Sequence, residues 1–188
     1  MPPQEVYISV DVETAGPYPG RYSLLSIGAC LVENPDRNFY VELQPVNGEF
    51  TAEAMAIGGL SLAALEKEGI SPEHAMVRFA AWIEEVVPPG ARPVFVAFNA
   101  PFDWMFVHDY FYRFLGYNPF GHSAVDIKAY FMGNAAVTWA ETSLSHVTAR
   151  LGGSPELSHN ALADAIDQGI LFKIMLALPR CPEASRMV

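Results

Sequence analysis

Five side chains stand where chemistry could be done. Asp11 and Glu13 lie two apart at the end of a strand-like segment, so both leave the same face. Burying two acids on one strand is costly unless a cation or a network of donors compensates. Asp103 falls in the first turn of the helix expected after Asn99. Asp164 falls early in the last expected helix, five residues after His159. Each has an ordinary explanation when taken alone. Two acids can end a strand in solvent, and an aspartate in a first turn complements the helix dipole by roughly 0.3–1 kcal/mol. A histidine near a helix start commonly caps or packs. Asp167, one turn beyond the start of the last helix, reads as an exposed acid. His74, His108, His122 and His146 form no metal-ligand spacing, and Cys30 and Cys181 form no CxxC pair.

Together the five residues sit in three runs: Asp11-Val12-Glu13-Thr14, Asn99-Ala100-Pro101-Phe102-Asp103 and His159-Asn160-Ala161-Leu162-Ala163-Asp164. These runs resemble the three exonuclease motifs D-x-E-T, N-x-x-F-D and H-x-A-x-x-D of the histidine branch of the DEDD superfamily. That family of 3′-to-5′ exonucleases includes ribonuclease T, oligoribonuclease and polymerase proofreading subunits. The resemblance spans about residues 5–176, and Leu144 to Gly152 also resembles the leucine and glycine pattern that precedes the third motif. It implies a ribonuclease H-like fold and release of nucleoside 5′-monophosphates from a free 3′ end. Three positions depart from the family pattern: Ala15 where many relatives have Thr, Phe98 where many have His, and Pro101 inside the second motif. None removes a carboxylate or the histidine, so they bear on substrate preference more than on catalysis.

The implied reaction explains the residue types. A phosphodiester is negative and repels an attacking anion. Two Mg²⁺ or Mn²⁺ ions about 3.5–4 Å apart can bind its oxygens, supply the attacking water and steady the leaving oxygen. Hard divalent ions take oxygen ligands, hence carboxylates. By resemblance, Asp11 bridges both ions, Glu13 and Asp164 complete the site of the attacking water, and Asp103 supports the second ion. His159, with an unperturbed pKa of about 6.5, suits a general base better than a Mg²⁺ ligand. The backbone around Thr14 and Ala15 is expected to meet the terminal nucleotide.

The elements around these residues can be read from periodicity and breakers. Val6 to Val12, Ser23 to Val32 and Asn38 to Gln44 read as three strands joined by short turns, an antiparallel meander. Thr51 and Ser61 are expected to cap two short helices, and Ser71-Pro72-Glu73 to start a third that ends at Pro88-Pro89-Gly90. Pro93 to Phe98 reads as a buried strand, followed by a helix capped by Asn99 and running to Leu115. Residues 123–132 are expected to hold a short strand and a helical turn. Ser143 to Leu151 reads as a helix, and Ser158 as the cap of a last one ending near Leu178. The result is an α/β chain: a mixed five-stranded sheet, part meander and part parallel, with helices on both faces. Residues 1–178 form one domain and 179–188 a loose tail.

Thirteen of the 23 aromatic residues lie between Phe95 and Phe131, which predicts that the helix after Asn99 is buried all round. Tyr18 and Tyr22, in a Pro- and Gly-rich loop after the first motif, are the better candidates for stacking on bases. Arg21 and Lys128 are candidates to touch phosphate.

Composition narrows the classes. The chain of 188 residues is 51% apolar and carries a net charge of −10. Such a balance argues against coating duplex DNA by charge, which rests on many Lys and Arg, and favours short or single-stranded DNA or RNA ends. The expected location is cytoplasmic, with no membrane association, and a homodimer is among the assemblies that the family offers. Two other readings remain: a non-catalytic nucleic-acid-binding or adaptor module of the same fold, and a phosphodiesterase acting on a small non-nucleic-acid substrate.

Overall fold

Alternation along the first strand sets up the whole molecule. In the computed structural model, which describes residues 3–153 and 158–178, β1 spans Glu5–Thr14. Ile8, Val10 and Val12 are buried on one face, while Ser9, Asp11 and Glu13 point to the other. The strand runs two residues past the expected Val12, so Glu13 lies within it rather than after it. β2 (Leu24–Leu31) and β3 (Asn38–Glu42) continue the meander antiparallel to β1. Two short helices follow, α1 (Ala52–Gly58) and α2 (Leu62–Glu68), with the Thr51 and Ser61 hydroxyls accepting the expected capping hydrogen bonds. Ser71 caps α3 (Pro72–Val86) in the same way.

β4 (Arg92–Ala97) then returns parallel to β1, and α4 spans Ala100–Phe114. β5 (Ala124–Asp126) pairs parallel with β4 and leads into α5 (Ile127–Ala135), α6 (Leu144–Leu151) and α7 (Ala161–Ala177). The sheet order is β3-β2-β1-β4-β5, the mixed five-stranded arrangement expected. One face buries Ile8, Val10, Phe39, Phe79, Phe106 and Phe111 beneath α3 and α4. The other buries Val96, Phe131, Val147, Phe172 and Met175 beneath α5, α6 and α7. Among the described residues no helix is long and apolar enough to cross a membrane.

Three local expectations need correction. α4 is not buried all round: Ala100, Asp103, Phe106, Val107, Tyr110 and Phe111 are buried, whereas Tyr112 and Arg113 are exposed. Three of its rings instead lie tilted against one another along the helix, Trp104 against His108 and His108 against Tyr112, at centroid distances of 5.0 and 4.8 Å. Asn99 caps nothing with its side chain. It sits in the left-handed region, φ 66°, and turns the chain sharply from β4 into α4. The N–H of Ala100 is taken by Asp126 Oδ2 at 2.7 Å instead. Ser158 does not cap the last helix either. Asn160 does, accepting the Ala163 N–H at 3.1 Å, because the Ser158 hydroxyl is committed to a carboxylate nearby. The expected tail, 179–188, and Cys181 lie outside the described residues.

Candidate active site

The acids converge because a strand, a helix start and a second helix start meet over the polar face of β1. Asp11 and Glu13 project from that strand. Asp103 reaches it from the first turn of α4, where its Oδ1 accepts the Val12 N–H at 3.2 Å and stitches the helix to the strand. Asp164 arrives on the first turn of α7. That approach depends on Gly28, which pairs with Asp11 across β1 and β2. A Cβ at Gly28 would lie 2.2 Å from the main chain of Ala161 and Leu162. Only a bare α-carbon lets α7 begin so close to the sheet.

Asp164 also shapes the loop before it. Its Oδ1 accepts from both the N–H and the hydroxyl of Ser158 at 2.8 Å, and its Oδ2 accepts the His159 N–H at 3.0 Å. His159 itself is exposed, with a left-handed φ of 54°, a conformation in which His is enriched among non-glycine residues. One ligand atom from each of Glu13, His159 and Asp164 falls within 4.8 Å of the others.

The electrostatics are those of like charges confined together. Burial pushes the Asp11 carboxyl well above its ordinary value, and the charges of Asp103, Asp164 and Glu13 push it the same way. Burial likewise raises Asp103 to about 8, against the opposing hydrogen bonds from backbone N–H groups. Glu13 is raised by burial and by Asp164, and the imidazole of His159 partly offsets this. No Lys or Arg stands among the described residues that line the adjoining cleft. A divalent ion is the natural counter-charge for such a set: all the donors are hard oxygens except the exposed imidazole.

The cleft is about 530 Å³ and runs from the acids between the start of α1 and the start of α4. Thr14, Gly16, Thr51, Ile57, Phe98 and Phe102 contribute to its walls. Thr14 lines the cleft, with its hydroxyl donating to the Gly16 carbonyl at 2.9 Å. Ala15 does not: its side chain is fully buried, its N–H donates to Ser23 O and its carbonyl accepts from Thr51 N–H. Its N–H is therefore already engaged within the fold. Tyr22 belongs to the core, packed with Ala15, Leu25 and Leu65, and Tyr18 is exposed edge-on against it. Neither tyrosine lines the cleft: the loop meets it through Gly16 and Pro17, while the Tyr22 ring turns into the core. Arg21 is paired with Glu49, and Lys128 lies over the Trp139 ring.

The sequence reading overlooked Gln168, whose side-chain amide donates to Asp11 Oδ1 at 3.1 Å. The signal was its spacing: four residues after Asp164, it shares that residue's helix face. It also overlooked Ser158 as a partner of Asp164, and Thr51 and Ile57 as cleft walls.

No protein-family model matches the chain. Among curated proteins it is 44% identical, over 172 residues and 92% of each chain, to the 3′-5′ DNA exonuclease Cap18 of Escherichia coli. Among solved structures it superposes on the nuclease domain of 3′hExo, a DEDDh family member bound to rAMP, with a TM-score of 0.74, 13% identity and 91% of each chain covered. It also superposes on E. coli Exonuclease I in complex with a dT13 oligonucleotide, with a TM-score of 0.70 and 19% identity, covering 93% of this chain and 41% of that one.

Proposed function

The chain belongs to the histidine branch of the DEDD superfamily of 3′-to-5′ exonucleases, and from that membership we propose that it trims single-stranded DNA, releasing nucleoside 5′-monophosphates. The observation that carries the reading is the convergence of four carboxylates and an exposed imidazole at the head of one cleft. DNA is preferred over RNA because the 44% identical relative is named a DNA exonuclease.

In this reading Asp11, Glu13, Asp103 and Asp164 would hold two Mg²⁺ or Mn²⁺ ions. Bound there, the ions would neutralise the phosphate and lower the pKa of water. Four carboxylates at about −4 are then matched by about +4, and the cleft stops repelling the strand. His159, exposed at the mouth, accepts the proton of the attacking water. Asp164 has a second task, holding the His159 main chain so that the ring faces Glu13. The terminal nucleotide occupies the cleft, with Ile57 and Phe102 offering apolar surface to its base and sugar.

The test sets DNA and RNA strands of one sequence, each with a free or a phosphorylated 3′ end, against the protein in Mn²⁺, with products separated by chromatography. The expected products are deoxynucleoside 5′-monophosphates, from the free DNA end faster than from the blocked one. Faster release from RNA would reverse the substrate assignment. Internal fragments would contradict the exonuclease reading.

A further inference from the structure

Gln168 joins the fold to the acidic cluster. It is 3% exposed, one turn along α7 from Asp164. Its Nε2 donates to Asp11 Oδ1 at 3.1 Å and to the Val10 carbonyl at 3.3 Å. Its Oε1 accepts the N–H of Phe98, at the end of β4. That last contact settles the orientation of the amide. A main-chain N–H can only donate, so the oxygen must face Phe98 and the NH₂ must face Asp11. All three of these hydrogen bonds come from one buried side chain, to β1 and to the residue just past β4.

We propose that Gln168 is a positioning residue that fixes the orientation of the Asp11 carboxylate and thereby sets the affinity of the site for its divalent ions. This rests on the metal reading given above. Asp11 lies among Asp103, Asp164 and Glu13, and its carboxyl must keep one orientation for the acids to take ions together. Among the described residues no other side chain donates to it. A neutral amide is suited to this task. It holds one carboxylate oxygen without neutralising the charge, where a lysine or arginine would compete with the incoming ion. The residue four positions after Asp164 therefore does for Asp11 what hydrogen-bonded partners do for metal ligands generally.

Two variants test this. Gln168→Met keeps the length and removes all three hydrogen bonds. Gln168→Glu keeps an acceptor for the Phe98 N–H and replaces the donor to Asp11 with a like charge. Mn²⁺ binding to the metal-free proteins is measured by calorimetry, beside thermal unfolding in EDTA and the Mn²⁺ concentration at half-maximal cleavage. Both variants are expected to bind Mn²⁺ about 10–100-fold more weakly. The half-maximal concentration should move in parallel, and the rate should largely recover at saturating Mn²⁺. A merely structural role would lower the melting temperature of Gln168→Met and leave the affinity of Gln168→Glu unchanged. A folded Gln168→Glu protein that binds Mn²⁺ as tightly as wild type overturns the proposal, whatever Gln168→Met does. Failure of the wild-type protein itself to bind Mn²⁺ would remove the metal reading, and this inference with it.

Discussion

Asp103 holds its proton up to about 8 against an ordinary value of 3.8, mainly because it is buried. For an acid whose pKa is higher folded than unfolded, the folded state keeps the proton longer. Stability then falls as pH rises through the interval between the two values. The metal-free protein should therefore melt at progressively lower temperature from about pH 5 to about pH 8. Asp103→Asn, which keeps an acceptor for the Val12 N–H, should flatten that decline. Mn²⁺ added at the alkaline end should raise the melting temperature of the wild type. Scanning calorimetry in EDTA across this range checks all three. His159→Ala should slow cleavage by about 10²–10⁴ while leaving calorimetric Mn²⁺ affinity nearly intact, since the exposed ring acts on a proton. The five residues that converge at the cleft were legible in the sequence because they fall in three runs that match the family's motifs. Gln168 was not, because a neutral amide on a helix reads as surface until the packing shows what it faces. Tyr22 misled for the converse reason: a Pro- and Gly-rich loop looked exposed, and its ring is buried.

The geometry of the cluster is set by how elements approach one another, and two backbone positions carry that. Gly28 lets α7 start against β2, directly across from Asp11. Gly28→Ala should push that helix start outward, taking Asp164 and His159 with it. Displacement of reacting groups by about 1 Å costs on the order of 10²-fold in rate, and overpacking costs about 1–3 kcal/mol in stability. Turnover at saturating metal and a urea denaturation midpoint measure the two effects separately. Asn99 turns from β4 into α4 with φ 66°, so Asn99→Ala should cost about 1 kcal/mol, whereas Asn99→Gly should be nearly neutral in the same urea experiment. Most helix starts were readable from Thr51, Ser61, Ser71 and Ser143, whose hydroxyls accept the capping bonds. The α7 start was not, because Ser158 and Asn160 are both good caps in local terms. A tertiary demand decided between them: Asp164 needed donors, and Ser158 supplied two.

For the molecule as a whole, a net charge of −10 and a cleft without basic side chains among its described lining leave little electrostatic hold on a strand. Salt should therefore weaken cleavage only shallowly, since few phosphates are neutralised by Lys or Arg. Binding of the strand should instead require the divalent ion. The mixed five-stranded sheet and its two helical faces were legible from alternation and breakers together with the family resemblance, whereas the strand order and the cleft walls were not. Thr51 and Ile57 come from α1 and its cap and Phe102 from α4, two segments that only the fold brings together. The most direct test uses 5′-labelled single-stranded DNA with the protein in Mg²⁺, Mn²⁺ or EDTA, and Asp11→Ala beside it. A ladder that shortens from the 3′ end with either metal, and that is absent in EDTA and in a folded Asp11→Ala protein, is the predicted result. Shortening that persists in EDTA, or wild-type activity in Asp11→Ala, would contradict a metal-dependent site built on Asp11.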